Sequence, residues 1–259
     1  MPKVKKANMM KRKIYIHSLL IMIMILFCSK KSPTNPEQDK PYLEKIAEYK
    51  LNVDEPSGLS LTIDGNSLWT VSDKTNKVYQ ISLSGEIIRE LSYKGNDLEG
   101  VIQHPGDSTI WVVEEYEADI VQLDIDGNEL KRVSINVDGG NSSLEGITIN
   151  PLNNHFYLLK EKDPGVLIEL DDKFEMVSYS RIGFAEDFSG IFFDAQNSFL
   201  WIISDQDKSV FQCDSTGTVI QEFPVEANKI EGIAVDVTND LVYLVSDSYE
   251  RLYVYSIQK

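Results

Sequence analysis

The chain has 259 residues, with 25 Lys and Arg against 41 Asp and Glu, a formal net charge of −16, and 42% hydrophobic residues. This length can hold one large all-β domain or two small ones, and the apolar fraction is sufficient for a sizeable core. A chain this acidic repels phosphate backbones and anionic lipid headgroups, so we expect no nucleic-acid partner and no electrostatic docking to membranes. Small cations and cationic partners are favoured instead.

The N-terminus is predicted to be a targeting segment and not part of the fold. All six basic residues before Cys28 lie within the first 13 positions, and residues 14–27 are almost continuously apolar. The apolar run has the length of the hydrophobic region of a signal peptide and is short for a membrane-spanning helix. Cys28 follows directly, as the lipidated cysteine does in a bacterial lipoprotein signal.

Two interpretations of this segment stay open at this point. Phe27 departs from the small residue that usually precedes a lipidated cysteine, and in the second interpretation Cys28 simply ends an uncleaved apolar anchor. In both, residues 1–28 are the signal or anchor, 29–41 a flexible polar tether and 42–259 the domain. We therefore expect an extracytoplasmic, membrane-anchored bacterial protein, in the periplasm or at the cell surface.

A glycine motif recurs five times, at intervals of 42, 46, 44 and 42 residues, and an acidic residue lies 15 positions after each glycine. The pairs are Gly58 with Asp73, Gly100 with Glu115, Gly146 with Glu161, Gly190 with Asp205 and Gly232 with Asp247. A β-rich repeat of about 40 to 45 residues is typical of a propeller blade. We therefore predict an all-β, five-bladed β-propeller with four antiparallel strands in each blade.

The two ends of the domain predict how the ring closes. The fifth repeat stops after its third strand, at residues 253–257, whereas residues 43–51 form a strand ahead of the first glycine. This N-terminal strand should complete the last blade, which leaves no free edge between the first and last blades. We expect the protein to be a monomer.

The same spacing predicts a cluster of carboxylates at one mouth of the axial channel. Strand A of each blade starts at the glycine and strand B returns, so the residue before the glycine and the acid 15 positions after it share one end of the sheet. Eight of these ten positions are acids, namely Glu99, Glu145, Glu231, Asp73, Glu115, Glu161, Asp205 and Asp247. The other two are Ser57 and Ser189, and Asp97 and Asp187 lie close by.

Such a cluster needs compensation, because two like charges about 4 Å apart repel by about 4 kcal/mol at an effective dielectric constant near 20. We predict that a divalent cation, calcium before magnesium, supplies it, since six to eight oxygens at about 2.3–2.6 Å suit a flexible carboxylate ring. The eight acids are the predicted metal ligands, with Glu99, Glu145 and Glu231 the principal ones. Ser57, Asp97, Asp187 and Ser189 are predicted to line the ligand position.

A structural alternative stays open for these acids. A carboxylate at each strand end could accept backbone N–H groups from the neighbouring blade and hold the blades together. Repetition in every blade fits that alternative, particularly for the acids that follow strand B.

Two repeated motifs resemble the SdiA-regulated family of bacterial envelope propellers, the YjiK-like, calcium-regulated group. They are Leu-Glu-Gly-Val/Ile at 98–101 and 144–147, with a variant at 230–233, and Val/Ile-Ser-Asp at 71–73, 203–205 and 245–247. The chain is more distantly similar to phytase-like esterase propellers, which share an acid-Glu-Gly-Ile signature. The resemblance implies a membrane-associated extracytoplasmic propeller linked to calcium, with no assigned reaction. Ser57 and Ser189 replace the glutamate of the signature, so the predicted ring is not fully symmetric.

Three function hypotheses follow. The leading one is a cation-binding recognition or scaffold module with a protein or small-molecule ligand at the channel mouth, and a purely structural protein-interaction propeller ranks third. The alternative is a metal-dependent hydrolase of phosphoesters or lactones, in which the cation polarises the substrate and a carboxylate acts as general base. An enzyme should show a non-repeating polar group at the mouth, and Tyr116, Lys160 and Arg251 are candidates.

Overall fold

The computed structural model of the protein describes residues 40–135 and 144–259. Within these ranges the chain forms twenty β-strands, arranged as five four-stranded antiparallel sheets. The predicted all-β, five-bladed propeller is therefore confirmed. The signal segment 1–28, with Cys28, and most of the tether lie outside the described residues. In the described part we find no helical stretch with the length and hydropathy that a membrane crossing requires.

We number the strands in chain order and label those of each blade A to D from the axis outward. Blade 1 contains β2 (Pro56–Leu61), β3 (Ser67–Ser72), β4 (Lys77–Ser82) and β5 (Ile87–Lys94). Blade 2 contains β6 (Leu98–Gln103), β7 (Ile110–Glu114), β8 (Asp119–Leu123) and β9 (Glu129–Ser134). Blade 3 contains β10 (Leu144–Asn150), β11 (His155–Lys160), β12 (Gly165–Leu170) and β13 (Met176–Ile182). Blade 4 contains β14 (Gly190–Asp194), β15 (Phe199–Ser204), β16 (Ser209–Cys213) and β17 (Val219–Pro224). Blade 5 contains β18 (Ile230–Asp236), β19 (Leu241–Ser246), β20 (Arg251–Gln258) and β1 (Tyr42–Lys50).

The core is divided among the interfaces between neighbouring blades. The A strands β2, β6, β10, β14 and β18 contact one another in ring order, with β18 against β2. Five clusters of buried apolar side chains fill the five interfaces. The B strands β3 and β7 are buried along their whole length. This is why the sequence shows consecutive apolar residues there, because a strand covered on both faces needs no polar alternation.

The outer strand of blade 5 comes from the beginning of the domain. β1 pairs antiparallel with β20, from Tyr42 opposite Gln258 to Lys50 opposite Arg251. Leu43 and Ala47 pack against the apolar clusters on the two sides of this blade. All twenty strands and all five clusters lie within residues 40–259, which form a compact unit. A chain that starts at Lys40 therefore contains every element of the propeller.

The five repeated glycines line one very small cavity. A cavity of only about 10 Å³ lies among Gly58, Gly100, Gly146, Gly190 and Gly232, and we call this ring the glycine collar. A Cβ atom on Gly232 would lie 2.5 Å from the carbonyl carbon of Gly58, and one on Gly58 would lie 2.5 Å from the carbonyl oxygen of Glu99. Only glycine allows the A strands to approach this closely. The collar divides the channel into two mouths, one at the start of the A strands and one at the A–B turns.

Candidate functional site

A β-bulge at the start of strand A positions the predicted glutamates. The register shifts between Leu98 and Gly100, between Leu144 and Gly146, and between Ile230 and Gly232. The extra, unpaired residues of these bulges are therefore Glu99, Glu145 and Glu231. A bulge redirects the side chain of the residue that it inserts. Blade 4 has no such shift, since Gly190 pairs directly with Ile203, and this blade carries Ser189 in place of the glutamate.

Asp97 is brought beside Glu99 by a turn in the connection from blade 1 to blade 2. Its backbone has the left-handed conformation, with φ 58°. Its N–H donates to the Asn76 side chain, and its carbonyl accepts the N–H of Glu115 at 2.9 Å. These bonds fix the backbone of Asp97 against the end of strand B. One carboxylate oxygen from each of Asp97, Glu99 and Glu115 lies within 4.8 Å of the other two.

We use the name acidic mouth for the end of the channel that carries Asp97, Glu99, Glu115, Glu145 and Glu231. Burial raises the pKa of Glu99 well above its usual range, and the charges of Asp73, Glu115 and Glu231 raise it further. Burial also raises the pKa of Glu145 strongly, with added repulsion from Glu99 and Glu115. The mutual repulsion shows that the structure brings the three predicted glutamates into one electrostatic cluster.

Glu231 and Asp73 extend this cluster around the axis. Burial, followed by repulsion from Asp247 and Asp205, raises the pKa of Glu231 to about 8. Burial and the charge of Glu55 raise the pKa of Asp73 to about 6. The Oδ1 atom of Asp73 is buried and has no hydrogen-bond partner among the described residues. A buried, unpaired carboxylate oxygen is costly, so this side of the mouth also favours a positive ligand or a proton.

The lysines near the mouth neutralise other acids. Lys74 pairs with Glu55 at 2.6 Å, Lys162 pairs with Glu161, and Lys229 pairs with Asp205 at 2.9 Å. Among the described residues, no ion pair reaches the carboxylates of Glu99, Glu145 or Glu231, although the charge of Lys229 slightly lowers the pKa of Glu231. The negative charge of the mouth is therefore only partly balanced by the protein.

The two serines that replace glutamates make hydrogen bonds to the next blade. The Ser57 hydroxyl donates to Glu99 Oε2 at 2.6 Å, which favours the ionised carboxylate and opposes the effect of burial on its pKa. The Ser189 hydroxyl donates to the Ile230 carbonyl at 2.7 Å. Ser57 thus supports the acidic cluster directly, whereas Ser189 joins blade 4 to blade 5.

Three of the remaining predicted acids have local partners. Asp205, 9% exposed, accepts the backbone N–H of Lys229 as well as its ammonium group, which are the interblade contacts of the structural alternative. Asp187, 5% exposed, accepts the Ser204 hydroxyl and the Gln206 N–H, the latter at 3.1 Å. Asp247 accepts the Ser248 hydroxyl. These carboxylates hold loops around the mouth, and Asp187 and Asp205 are largely occupied in doing so.

The residue that closes strand B has a structural role that the sequence analysis missed. Ser72 donates to the Asp54 carbonyl at 2.5 Å, and Ser246 donates to the Asn228 carbonyl at 2.7 Å. Glu114, in the same position of blade 2, accepts the Asn96 N–H at 3.0 Å. Each bond holds the incoming connection from the preceding blade against the end of strand B. In the repeated Ser-Asp pair the serine thus makes the structural bond, and of the acids that follow, Asp73 acts on Glu99 through its charge.

The three polar residues considered for catalysis have other environments. Lys160 is 4% exposed and donates to the carbonyls of Lys162 and Pro164, at 2.5 and 3.4 Å. Arg251 donates to the carbonyls of Tyr249 and Glu250 and pairs with Glu48 at 3.3 Å. Tyr116 is 77% exposed. The cations of Lys160 and Arg251 are thus held by backbone carbonyls of the loops and not by the acidic cluster.

Comparison with known proteins yields a family and a set of related folds. The sequence profile of the SdiA-regulated family matches residues 41–256. Glutaminyl cyclase from Myxococcus xanthus superposes with a TM-score of 0.66 at 14% identity, over 84% of this chain and 97% of the cyclase. Hydrazine synthase from Kuenenia stuttgartiensis gives 0.52 at 15% identity, over 75% of this chain and 56% of the synthase chain. A streptogramin B lyase superposes with a TM-score of 0.49 at 20% identity, over 85% of this chain and 74% of the lyase chain. At these identities the likeness concerns the fold alone.

Proposed function

The chain belongs to the SdiA-regulated family, and from this premise we propose that it is a membrane-tethered, extracytoplasmic propeller that binds a divalent cation at its acidic mouth. The proposed ion is calcium. The protein then acts, as a monomer, as a recognition or scaffold module whose partner docks at the cation-bearing mouth. The signal segment ending at Cys28 supplies the membrane attachment in this proposal, through a lipid on that cysteine or through the apolar run itself.

The observation that carries the proposal is the grouping of Asp97, Glu99 and Glu115. Their three oxygens lie within 4.8 Å of one another. Two ligands on opposite sides of a calcium ion are about 4.6–5.2 Å apart, twice the usual calcium–oxygen distance of about 2.3–2.6 Å. The donor set is therefore of the size and chemistry that calcium takes. Glu145 and Glu231 provide further carboxylates next to this group, whose charges interact with those of Glu99 and Glu115.

The electrostatics of the mouth favour a bound cation over a ring of carboxylates with a purely structural role. Ionised carboxylates whose oxygens lie within 4.8 Å of one another repel by at least about 3 kcal/mol at an effective dielectric constant near 20. In the absence of a cation the cluster must hold protons, which is what the raised pKa values of Glu99, Glu145 and Glu231 express. A bound cation would replace some of those protons, offset part of the negative charge and offer open coordination positions to an oxygen of a partner.

The chain enters the propeller at the end of the channel away from the acidic mouth. Tyr42 pairs with Gln258 at the end of β20, which is the end that carries the A–B turns. The chain therefore enters the propeller at the opposite end from the acidic mouth. In a protein attached through its N-terminal segment, this arrangement leaves the mouth accessible to a partner.

The contacts of Lys160 and Arg251 with backbone carbonyls favour a binding role over hydrolysis.

Calorimetry of thermal unfolding tests the proposal. We expect calcium to raise the melting temperature relative to chelator, because a ligand that binds only the native state at 100 times its Kd adds about 2.7 kcal/mol. For a domain of this size that gain corresponds to about 5–10 °C. The double variant Glu99→Gln/Glu145→Gln should lose the effect, and Glu86→Gln, an exposed acid outside the mouth, should keep it. Identical transitions of the unaltered protein in chelator and in millimolar calcium would reject the proposal.

A further inference from the structure

A large cavity lies at the opposite end of the axis from the acidic mouth. It has a volume of about 610 Å³ and opens between the A–B turns, so we call it the turn-side cavity. The glycine collar, with its cavity of about 10 Å³, separates it from the acidic mouth. Pockets that bind small molecules have volumes of about 300–1,000 Å³. The turn-side cavity is thus large enough for a ligand of its own.

The walls of this cavity differ from blade to blade, unlike the repeated acids of the mouth. The residues two positions after the five glycines are Ser60, Ile102, Thr148, Phe192 and Ala234. The first four of them line the cavity. Ile102 and its wall neighbours Ile149 and Phe193 are 5%, 8% and 5% exposed. Apolar walls with a few polar groups in fixed, non-equivalent places are typical of a site that orients one molecule.

One of these polar groups has no hydrogen-bond partner in the part of the chain that the structure describes. Ser60 is 7% exposed, and its Oγ atom is buried without a hydrogen-bond partner among the described residues. Thr148, by contrast, accepts the Phe193 N–H at 2.9 Å. Burying a hydroxyl without a hydrogen bond is unfavourable. A molecule in the cavity that offers a hydroxyl, carbonyl or amide to Ser60 would remove that penalty.

The charged groups of the cavity are already engaged. Among the described lining residues there is no Lys or Arg, and the acids are Asp64 and Asp236. Asp64 accepts the Thr62 hydroxyl at 2.6 Å and the Asn66 N–H at 3.1 Å. Asp236 accepts the N–H groups of Thr238 and Asn239, each at 3.1 Å. An anionic ligand would be repelled by these carboxylates. A cationic ligand would compete with the hydrogen bonds that close the turns for the same carboxylate oxygens.

We propose that the turn-side cavity is a second binding site, for an uncharged small molecule with an apolar body and one hydrogen-bonding group. The apolar body contacts Ile102, Ile149 and Phe193, and the polar group bonds to Ser60. This site is independent of the cation proposed for the acidic mouth, because the glycine collar lies between the two.

Ligand-detected saturation-transfer NMR on the chain from Lys40 onward tests the proposal with three probes of one shape, namely benzyl alcohol, benzylamine and benzoate. We expect benzyl alcohol to bind with a Kd on the order of 1 mM, as fragments of this size do. We expect the two charged probes to bind at least about tenfold more weakly. Adding calcium should leave the Kd of benzyl alcohol unchanged.

Two variants and a control locate the binding. Thr238 is an exposed rim residue, and Thr238→Trp should block the opening and weaken binding at least about tenfold. Ser60→Ala should weaken it by about three- to tenfold, the effect of one hydrogen bond. Leu152→Trp adds the same ring to an exposed turn outside the cavity and should change nothing. The proposal is overturned if benzyl alcohol shows no transfer at about 10 mM, if Ser60→Ala binds it as well as the unaltered chain, or if benzoate or benzylamine binds as tightly.

Discussion

The hydroxyl of Ser57 donates a hydrogen bond of 2.6 Å to Glu99 Oε2, from the first strand of blade 1 to the first strand of blade 2. Ser57 is 2% exposed, so the bond lies in a buried environment where burial raises the pKa of Glu99. A hydrogen bond to the ionised form opposes this effect. Blade 1, one of the two blades that lack the glutamate, thus contributes the hydroxyl that helps the glutamate of blade 2 to carry a charge.

We predict that Ser57→Ala weakens calcium binding by about three- to tenfold, because losing one hydrogen bond disfavours the ionised Glu99 that the cation needs. Ser189→Ala is the matched control, since Ser189 also bonds to the next blade but donates to the Ile230 carbonyl at 2.7 Å. Isothermal titration calorimetry of both variants at pH 7 measures the difference. Equal affinities in the two variants would show that the Ser57 bond has no role in the cation site.

A second prediction separates a cation site from structural hydrogen bonding. Glu145 has a strongly raised pKa, and its carboxylate takes part in no hydrogen bond or ion pair among the described residues. Replacing it with Gln removes repulsion, so Glu145→Gln should be neutral or stabilising in chelator and should bind calcium more weakly. Urea unfolding in chelator, with the exposed Glu86→Gln as control, measures this. A loss of about 1.5–3 kcal/mol in chelator would instead indicate charge-assisted hydrogen bonds between blades.

The stability of the metal-free domain should fall as the pH rises from about 5 to about 9. The pKa of Glu231 is raised from 4.5 to about 8, and that of Asp73 from 3.8 to about 6. When the pKa of a carboxyl group is higher in the folded state than in the unfolded state, the group's contribution to the free energy of unfolding is fully present below the unfolded-state pKa. This contribution is lost as the pH rises through the folded-state pKa. The expected loss is on the order of a few kcal/mol. Chemical unfolding in chelator across this range measures it, and Glu231→Gln should flatten the decline between about pH 6 and about pH 8. A flat profile of the unaltered domain would contradict the raised pKa values.

The closing strand gives a prediction about the fold. A chain that starts at Leu51 lacks β1, which leaves the edge of β20 unpaired and exposes the surface that Leu43 and Ala47 cover. We expect its melting temperature to be at least about 10 °C below that of a chain that starts at Lys40, since each lost kcal/mol lowers it by about 2–4 °C. Equal melting temperatures would show that β1 contributes nothing to the ring.

The sequence predicts the fold well because the repeat is present in every blade. The placement of the Glu99 side chain shows the limit of prediction from the repeat. Its placement in the channel depends on a bulge, and an inserted residue leaves the apolar pattern of a short strand almost unchanged. Asp187 looks like an acid of the mouth in the sequence, yet its carboxylate bonds to Ser204 and Gln206. The turn-side cavity was not predicted, because Ser60, Thr148 and Phe192 come together only when three blades pack around one axis.

Native mass spectrometry of the chain from Lys40 onward tests the central proposal most directly. The protein is measured as purified, after chelation and after addition of calcium, beside the double variant Glu99→Gln/Glu145→Gln. We predict that the unaltered chain gains the mass of a calcium ion after chelation and resupply, and that the double variant gains none at the same calcium concentration. Equal calcium uptake by the two chains, or none by either, would contradict a cation site at the acidic mouth.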